Sequence, residues 1–419
     1  MRFSWRQYVL IFSSFLLLGI ACTSIRGIQI APDTGTYSQW ADILIRNHFH
    51  YPSYLSDVSF KTPAILYIGW VTVVALFKLA LSSQWVVGLV VFNIVLFAAI
   101  GTALISIVGL LSDTKLPVLL AGLMYATSFH LLQWVSFVLS DISFLALTFT
   151  PLFIYVLFLN RRRHHISFVL GILAILALAV SYRPASIPLL ATFAIGTIAT
   201  IQTKAATPES RARYSRLLFS FTMIGVIIIL LLGSLLAQNP NLWPFDFARG
   251  EVDFTSQNYN KGIVIHGRPE TFHQPPVALI DYIAITLDKF IHYFSPTAEG
   301  FSFIHKVYSI LFYIPIYLLA GFGVLFLFLK DGYRRTSTWL VALTASLFVL
   351  FFASYHAVLT IDFDWRYRVP CIPVLILLAA LGVNRIIAVN RLQQFVHAPQ
   401  ETIAKATINP DAGLLTISR

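Results

Sequence analysis

Residues 86–111 read Val86-Val87-Gly88-Leu89-Val90-Val91-Phe92-Asn93-Ile94-Val95-Leu96-Phe97-Ala98-Ala99-Ile100-Gly101-Thr102-Ala103-Leu104-Ile105-Ser106-Ile107-Val108-Gly109-Leu110-Leu111, without one charged side chain. A helix rises about 1.5 Å per residue, so a run of this length reaches across the roughly 30 Å hydrocarbon core of a bilayer. Further apolar runs occupy about 8–25, 63–81, 117–139, 142–159, 166–182, 185–202, 217–236, 306–329, 337–359 and 369–388. Of the 419 residues, 58% are hydrophobic and only 11% charged, where a soluble domain carries about 25% charged residues. The chain reads as an all-α polytopic membrane protein. Residues 1–391 form a single transmembrane domain, and the polar stretch 392–419, with Pro399 and Pro410, reads as a loose cytoplasmic tail.

The formal charge of +11 does not point to nucleic acid, because the cations sit in short clusters between apolar runs. Arg2 with Arg6, Arg161-Arg162-Arg163, Lys204 with Arg211, Arg213 and Arg216, Lys330 with Arg334 and Arg335, and Arg385 with Arg391 are such clusters. Lys and Arg beside spans mark the cytoplasmic side. Cys22 and Cys371 both lie in or beside apolar runs, which argues against a disulfide framework. The stretch ending Leu18-Gly19-Ile20-Ala21-Cys22 is close to a lipoprotein cleavage box, but Gly19 replaces its usual leucine; the run reads as a retained first span.

If every run crossed, the triple arginine would land outside. One run must therefore not cross. The run at 63–81 is short, follows Lys61-Thr62-Pro63, and is interrupted by Lys78; it is expected to be an interfacial or re-entrant helix. About ten transmembrane helices remain, with both termini cytoplasmic. The outer face then receives two long loops, 26–62 and 237–305, and the polar corners Ser140-Asp141, Arg183-Pro184 and Asp362 to Arg368. Long loops that are more than linkers are usually functional, so the chemistry is expected outside. No internal repeat is evident.

In the first outer loop Tyr37, Trp40, Ala41, Leu44 and Ile45 recur at helical spacing, which predicts an amphipathic helix on the membrane surface. Asp33 precedes it, either as an N-cap or as a carboxylate held at a cavity mouth to act as general base. Asp141 has an N-terminal dipole role open to it. Arg183, an outer cation beside a span, needs an anionic partner: Asp141 in a structural pair, or a phosphate, which suits the guanidinium fork. In the large loop, His266, Glu270 and His273 match no helical zinc signature. They suit binding of a sugar or pyrophosphate, and a divalent cation stays open as a cofactor. Arg366 and Arg368 flank Tyr367 and are expected to meet an anionic group or Asp362 and Asp364. No P-loop, nucleophile elbow, HExxH or dinucleotide fingerprint stands in a supporting context.

Four places together resemble the bacterial membrane glycosyltransferases of the GT-C fold, the superfamily of protein O-mannosyltransferases and lipid A aminoarabinose transferases. They are Asp33 with Tyr37 and Ala41; Lys61-Thr62-Pro63, where relatives often have Lys-Pro-Pro; Ser140-Asp141 followed by Arg183-Pro184; and Arg366-Tyr367-Arg368-Val369-Pro370 with Pro373. One departure is Thr34, where some relatives place a second acid beside the first, which counts against a paired-acid metal site. The resemblance implies a sugar donor on polyprenyl phosphate, a lipid or glycan acceptor, and the outer side of a bacterial inner membrane. Asp33 would be the base, with inversion at the anomeric carbon. Lys61, Arg183 and Arg366 would face the leaving phosphate, and Tyr37, Asp141 and Tyr367 would line the substrate site; His266 and Glu270 are candidates from the residues of the large loop, which no part of the resemblance covers.

Two other readings compete. An O-antigen-type polysaccharide polymerase or ligase shares the large outer loop and outer arginines, but has no need of an acid and a surface helix straight after the first span. A secondary transporter would carry ionisable residues in mid-span and related halves, and neither is evident here.

Overall fold

The computed structural model describes residues 3–58, 67–160, 166–204, 279–298, 300–329, 337–358 and 365–396. Within them the chain is helical: α1 Trp5–Arg26, α2 Pro32–Arg46, α3 Tyr51–Asp57, α4 Ile68–Leu81, α5 Trp85–Leu111, α6 Lys115–Thr127, α7 Phe129–Val135, α8 Asp141–Asn160, α9 Ile166–Tyr182, α10 Ile187–Lys204, α11 Leu279–Phe294, α12 Phe303–Leu329, α13 Ser337–Val358 and α14 Ile372–Val396. Short 3-10 turns cover Ser82–Gln84, Pro184–Ser186 and Trp365–Cys371. This is a helical multi-pass membrane protein. Among the described residues, six helical segments are long and apolar enough to cross a bilayer, or seven if α6 and α7 form one broken span.

The expectation of ten spans is corrected by breaks that composition does not reveal. The apolar run 117–139 is divided at Ser128, where α6 and α7 meet at 52°. The Tyr308 hydroxyl fills the break, donating to the Thr127 carbonyl and accepting the Phe129 N–H at 2.9 Å. The apolar helical cores at Ser167–Tyr182 and Ile187–Thr200 are shorter than a straight span. The run at 217–236 lies outside the described residues, as do 397–419. The expected tail begins later than the sequence suggests, because α14 continues to Val396.

The helical stretch Ile68–Leu111 is 44 residues long, yet a single straight helix of that length would reach about 66 Å, twice the hydrocarbon thickness. The chain turns over instead at Ser82, whose φ of 48° and ψ of −120° belong to a tight-turn conformation usually left to glycine. The Phe77 and Phe92 rings consequently lie 5.6 Å apart. The first helix of this hairpin, α4, rises only about 21 Å. It meets α2 near both ends: Tyr67 faces Tyr37 with ring centroids 5.5 Å apart, and Lys78 reaches the Ser38 carbonyl at 3.0 Å and Asp42 at 2.7 Å.

The expected surface helix is α2, and its inward face is Thr34, Tyr37, Ala41 and Leu44, the i, i+3, i+4 pattern of an amphipathic helix. At the centre of the bundle lies α14, whose Val374, Ile376, Leu377 and Ala379 are fully enclosed. Its Gly382 meets α12 backbone to backbone: a Cβ there would stand 2.1 Å from the Leu319 carbonyl oxygen. Backbone cannot swing away as a side-chain tip can, so Gly382→Val should cost about 3 kcal/mol or more by overpacking. The expected result is a clearly lowered unfolding temperature in detergent. Gly321→Ala on α12, where the added carbon meets nothing within 4 Å, should leave that temperature unchanged.

The bundle has two chemically different ends. At one, Asn384 of α14 bonds the Leu111 carbonyl and the Asp113 N–H, and Ser337 bonds the Leu159 carbonyl. At the other lie the starts of α2, α8 and α14 and the ends of α1, α9 and α13, around the groups described next.

Candidate functional site

The linker after α1 is pinned before α2 begins. Gln29 exchanges backbone hydrogen bonds with Ser136 and Val138, at 2.9 and 3.1 Å, in a short parallel bridge to Phe137. Thr34 then works in two directions: its Oγ1 accepts the Ala31 N–H at 3.1 Å and donates to the Val138 carbonyl at 2.9 Å. Pro32 occupies the first helical position, where its missing N–H costs nothing. The N-cap is therefore Ala31, and the cap reading of Asp33 fails because Asp33 already lies inside the first turn. Its carboxylate points to another segment altogether. Asp33 Oδ2 accepts a hydrogen bond from Arg366 Nη1 at 3.0 Å, across 333 positions of sequence.

A second ion pair stands in the same region. Asp141 begins α8 and is almost wholly buried, with Arg183 nearly so. Arg183 donates through Nη1 and Nη2 to both Asp141 oxygens, at 3.0 and 3.1 Å, and through Nε to Ser140 Oγ at 2.9 Å. The corner is built for this. Ser186 returns a backbone bond and a hydroxyl bond to the Arg183 carbonyl, and the Phe144 ring lies 5.5 Å from the guanidinium carbon. Burial works against the Arg183 charge, but Asp141 foremost, with Tyr37 and Tyr67, outweighs it and raises the guanidinium pKa above its ordinary value. Of the two partners the sequence leaves open, Asp141 is the one in place. Two of the five guanidinium hydrogens are left over from these bonds.

Between the pairs opens a cleft of about 90 Å³, room for several waters. Tyr37, Tyr67, Phe144 and Phe352 wall it, with Arg183, Arg366 and Tyr367 at its edge. Burial, and secondarily Tyr67, raises the Tyr37 hydroxyl well above the ordinary tyrosine value, so it remains a donor at neutral pH. His356 of α13 also lines the cleft. Its ring is stacked 4.5 Å from Tyr367 and 6.1 Å from Tyr293, and its Nε2 is buried without a hydrogen-bond partner. Leaving a buried polar atom unpaired costs about 1–3 kcal/mol.

Asp33, Tyr37, Arg183, Arg366 and Tyr367 thus meet at one place, and Asp141 stands behind Arg183 rather than at the opening. Arg368 turns the other way. It is fully buried, donates to the Ser295 carbonyl at 2.7 Å and the Tyr317 hydroxyl at 3.2 Å, and lies 4.7 Å from the Tyr313 ring centroid. Lys61, His266, Glu270, His273, Asp362 and Asp364 lie outside the described residues. Among the described residues, no three His, Cys, Asp or Glu side chains gather as a metal-ligand set. Sequence reasoning missed Tyr67, Tyr355 and His356. The available signal was Ser354-Tyr355-His356, a polar interruption near the end of an apolar run. Comparison with protein-family models, with curated proteins and with solved structures finds no match for this chain.

Proposed function

We propose that this protein is a membrane glycosyltransferase that moves a sugar from a polyprenyl-phosphate donor to a lipid or glycan acceptor, by inversion, at the outer face of a bacterial inner membrane. One observation carries the reading: Tyr37, Arg183, Arg366 and Tyr367, all drawn from its GT-C-like motifs, line one aromatic-walled cleft from distant segments, and Asp33, from the same motifs, is bonded to the Arg366 at that cleft. The orientation rests on charge. Asn160, which the arginine run 161–163 follows in sequence, and Lys204, which closes α10, lie at the end of the bundle away from the cleft; basic clusters favour the cytoplasm.

In this reading Asp33 is the base. Its side chain is 44% exposed, and Oδ1 is left to take a proton while Oδ2 holds Arg366. The acceptor hydroxyl oxygen attacks the anomeric carbon and gives its proton to Asp33. The bond from that carbon to the phosphate oxygen breaks, and its electron pair leaves with the phosphate. Arg366, bonded to Asp33, would face that developing charge. Because Arg366 already bonds Asp33, an arriving phosphate draws on the same guanidinium that orients the base. Fixed donors aimed at developing charge are worth several kcal/mol in a water-poor site. Arg183, held by Asp141, supplies the second cation.

The test is transfer by the purified protein in vesicles, using a panel of polyprenyl-phosphate sugars. Radiolabelled sugar should move to an acceptor from at least one donor. Arg366→Lys should slow that transfer about tenfold, since lysine keeps the charge and loses the planar fork. Folded protein that transfers from no donor in the panel, and binds none, would sink the proposal.

A further inference from the structure

A second group of polar atoms closes α1 at the cleft end of the bundle and shares no residue with the cleft. Arg26 is in the last turn of α1, with its guanidinium carbon 5.5 Å from the Phe129 ring centroid. Its Nη1 is shut off from solvent and makes no hydrogen bond, and the same holds for Thr23 Oγ1 one turn earlier and for His305 Nε2. His305 of α12 joins the group through the same aromatic ring, 5.6 Å from Phe129, while its own ring is stacked 3.8 Å from Phe301. The turn is fixed in place by Cys22, whose thiol bonds the Leu132 carbonyl of α7 at 3.6 Å. Among the described residues no carboxylate forms an ion pair with Arg26.

A permanent cation at the end of an apolar helix, at the opposite end of the bundle from Lys204 and Arg385, calls for an anionic partner. The groups left over are the Arg26 Nη1, a hydroxyl and a ring nitrogen that donates when its tautomer places the proton there, a set that suits the acceptor oxygens of a phosphate. Ile25, Phe303 and Ile304 beside them are 85%, 79% and 80% exposed, which suits hydrocarbon chains and not water. We infer that Thr23, Arg26 and His305 form a binding site for the phosphate of an anionic bilayer lipid, with its acyl chains lying over Ile25 and Ile304. The site needs no sugar chemistry and is independent of the proposed transferase reaction.

The experiment uses the full-length protein purified in uncharged detergent. Bound lipid is counted by native mass spectrometry and followed by thermal unfolding, with phosphatidylglycerol, phosphatidylcholine and inorganic phosphate as separate probes. Phosphatidylglycerol should bind and raise the unfolding temperature, and the other two should not. Arg26→Gln should weaken phosphatidylglycerol binding about tenfold, and Thr23→Val should weaken it less. Arg46→Gln, in the last turn of α2, should bind as the wild type does. If Arg26→Gln does not fold, Arg26→Lys gives the same reading, with an intermediate loss expected from the lost fork. Unchanged binding in the Arg26 and Thr23 variants overturns the site. Displacement of the lipid by inorganic phosphate, or equal binding of phosphatidylcholine, overturns its identity as an anionic-lipid site.

Discussion

Asp33→Asn should reduce sugar transfer by about 10²- to 10⁴-fold, the usual contribution of a positioned general base, while the protein folds at nearly its normal level. The separation of the two effects follows from the geometry. The amide oxygen that replaces the carboxylate can still accept from Arg366, and an ion pair as exposed as Asp33 with Arg366 contributes on the order of 0–1 kcal/mol to stability. What the amide cannot do is take a proton from an attacking hydroxyl at neutral pH. Asp42→Asn is the matched control on the same helix. It releases Lys78 from an ion pair with an Asp42 side chain 57% exposed, which should cost little stability and leave transfer intact. Rates are compared in vesicles at equal protein. Near-normal transfer by Asp33→Asn removes Asp33 as the base.

The second large effect is on stability, at the other ion pair. Asp141→Leu leaves the Arg183 guanidinium enclosed with no counter-charge, and Arg183→Met does the same to the carboxylate. Breaking a buried pair from one side typically costs about 3–5 kcal/mol. The double variant Asp141→Leu with Arg183→Met should be markedly more stable than either single one, because it removes both desolvated charges together. A double-mutant cycle on unfolding in detergent reads this directly. Simple additivity of the two single effects would mean that Asp141 and Arg183 do not act as one unit. The contrast with Asp33 has one cause: Asp141 is 2% exposed and bonded through both oxygens, and Asp33 is 44% exposed and bonded through one.

Several residues of the candidate site could be read from the sequence because they violate their surroundings. Asp33, Arg183 and Arg366 are charges at the ends of apolar runs, in a solvent where an unneeded charge is expensive. Helical spacing put Tyr37 on the inward face of α2, and the family resemblance alone put it in the candidate site. By the same logic Tyr67 and Phe144 were hidden, since an aromatic in an apolar run looks like ordinary span lining, while His356 left only the signal of Ser354-Tyr355-His356. Arg366 and Arg368 looked equivalent in sequence. The 3-10 turn Trp365–Cys371 gives them different surroundings, Asp33 for one and Ser295 with Tyr317 for the other.

The sequence by itself determined that this chain is helical and lives in a bilayer, because hydrocarbon tolerates only apolar side chains on a backbone that satisfies its own hydrogen bonds. It also determined the amphipathic surface helix, whose apolar period is a local property. Tertiary structure alone decided how the apolar run 117–139 divides. The break at Ser128 is held by a partner far along the chain, Tyr308 for the Thr127 carbonyl, whereas the turn at Ser82 falls on the polar Ser82-Ser83-Gln84 that already parts the runs 63–81 and 86–111. It alone decided, too, that Asp33 meets Arg366: the two lie at the starts of α2 and of the turn before α14, and only the packing of the bundle brings charges 333 residues apart to within 3.0 Å.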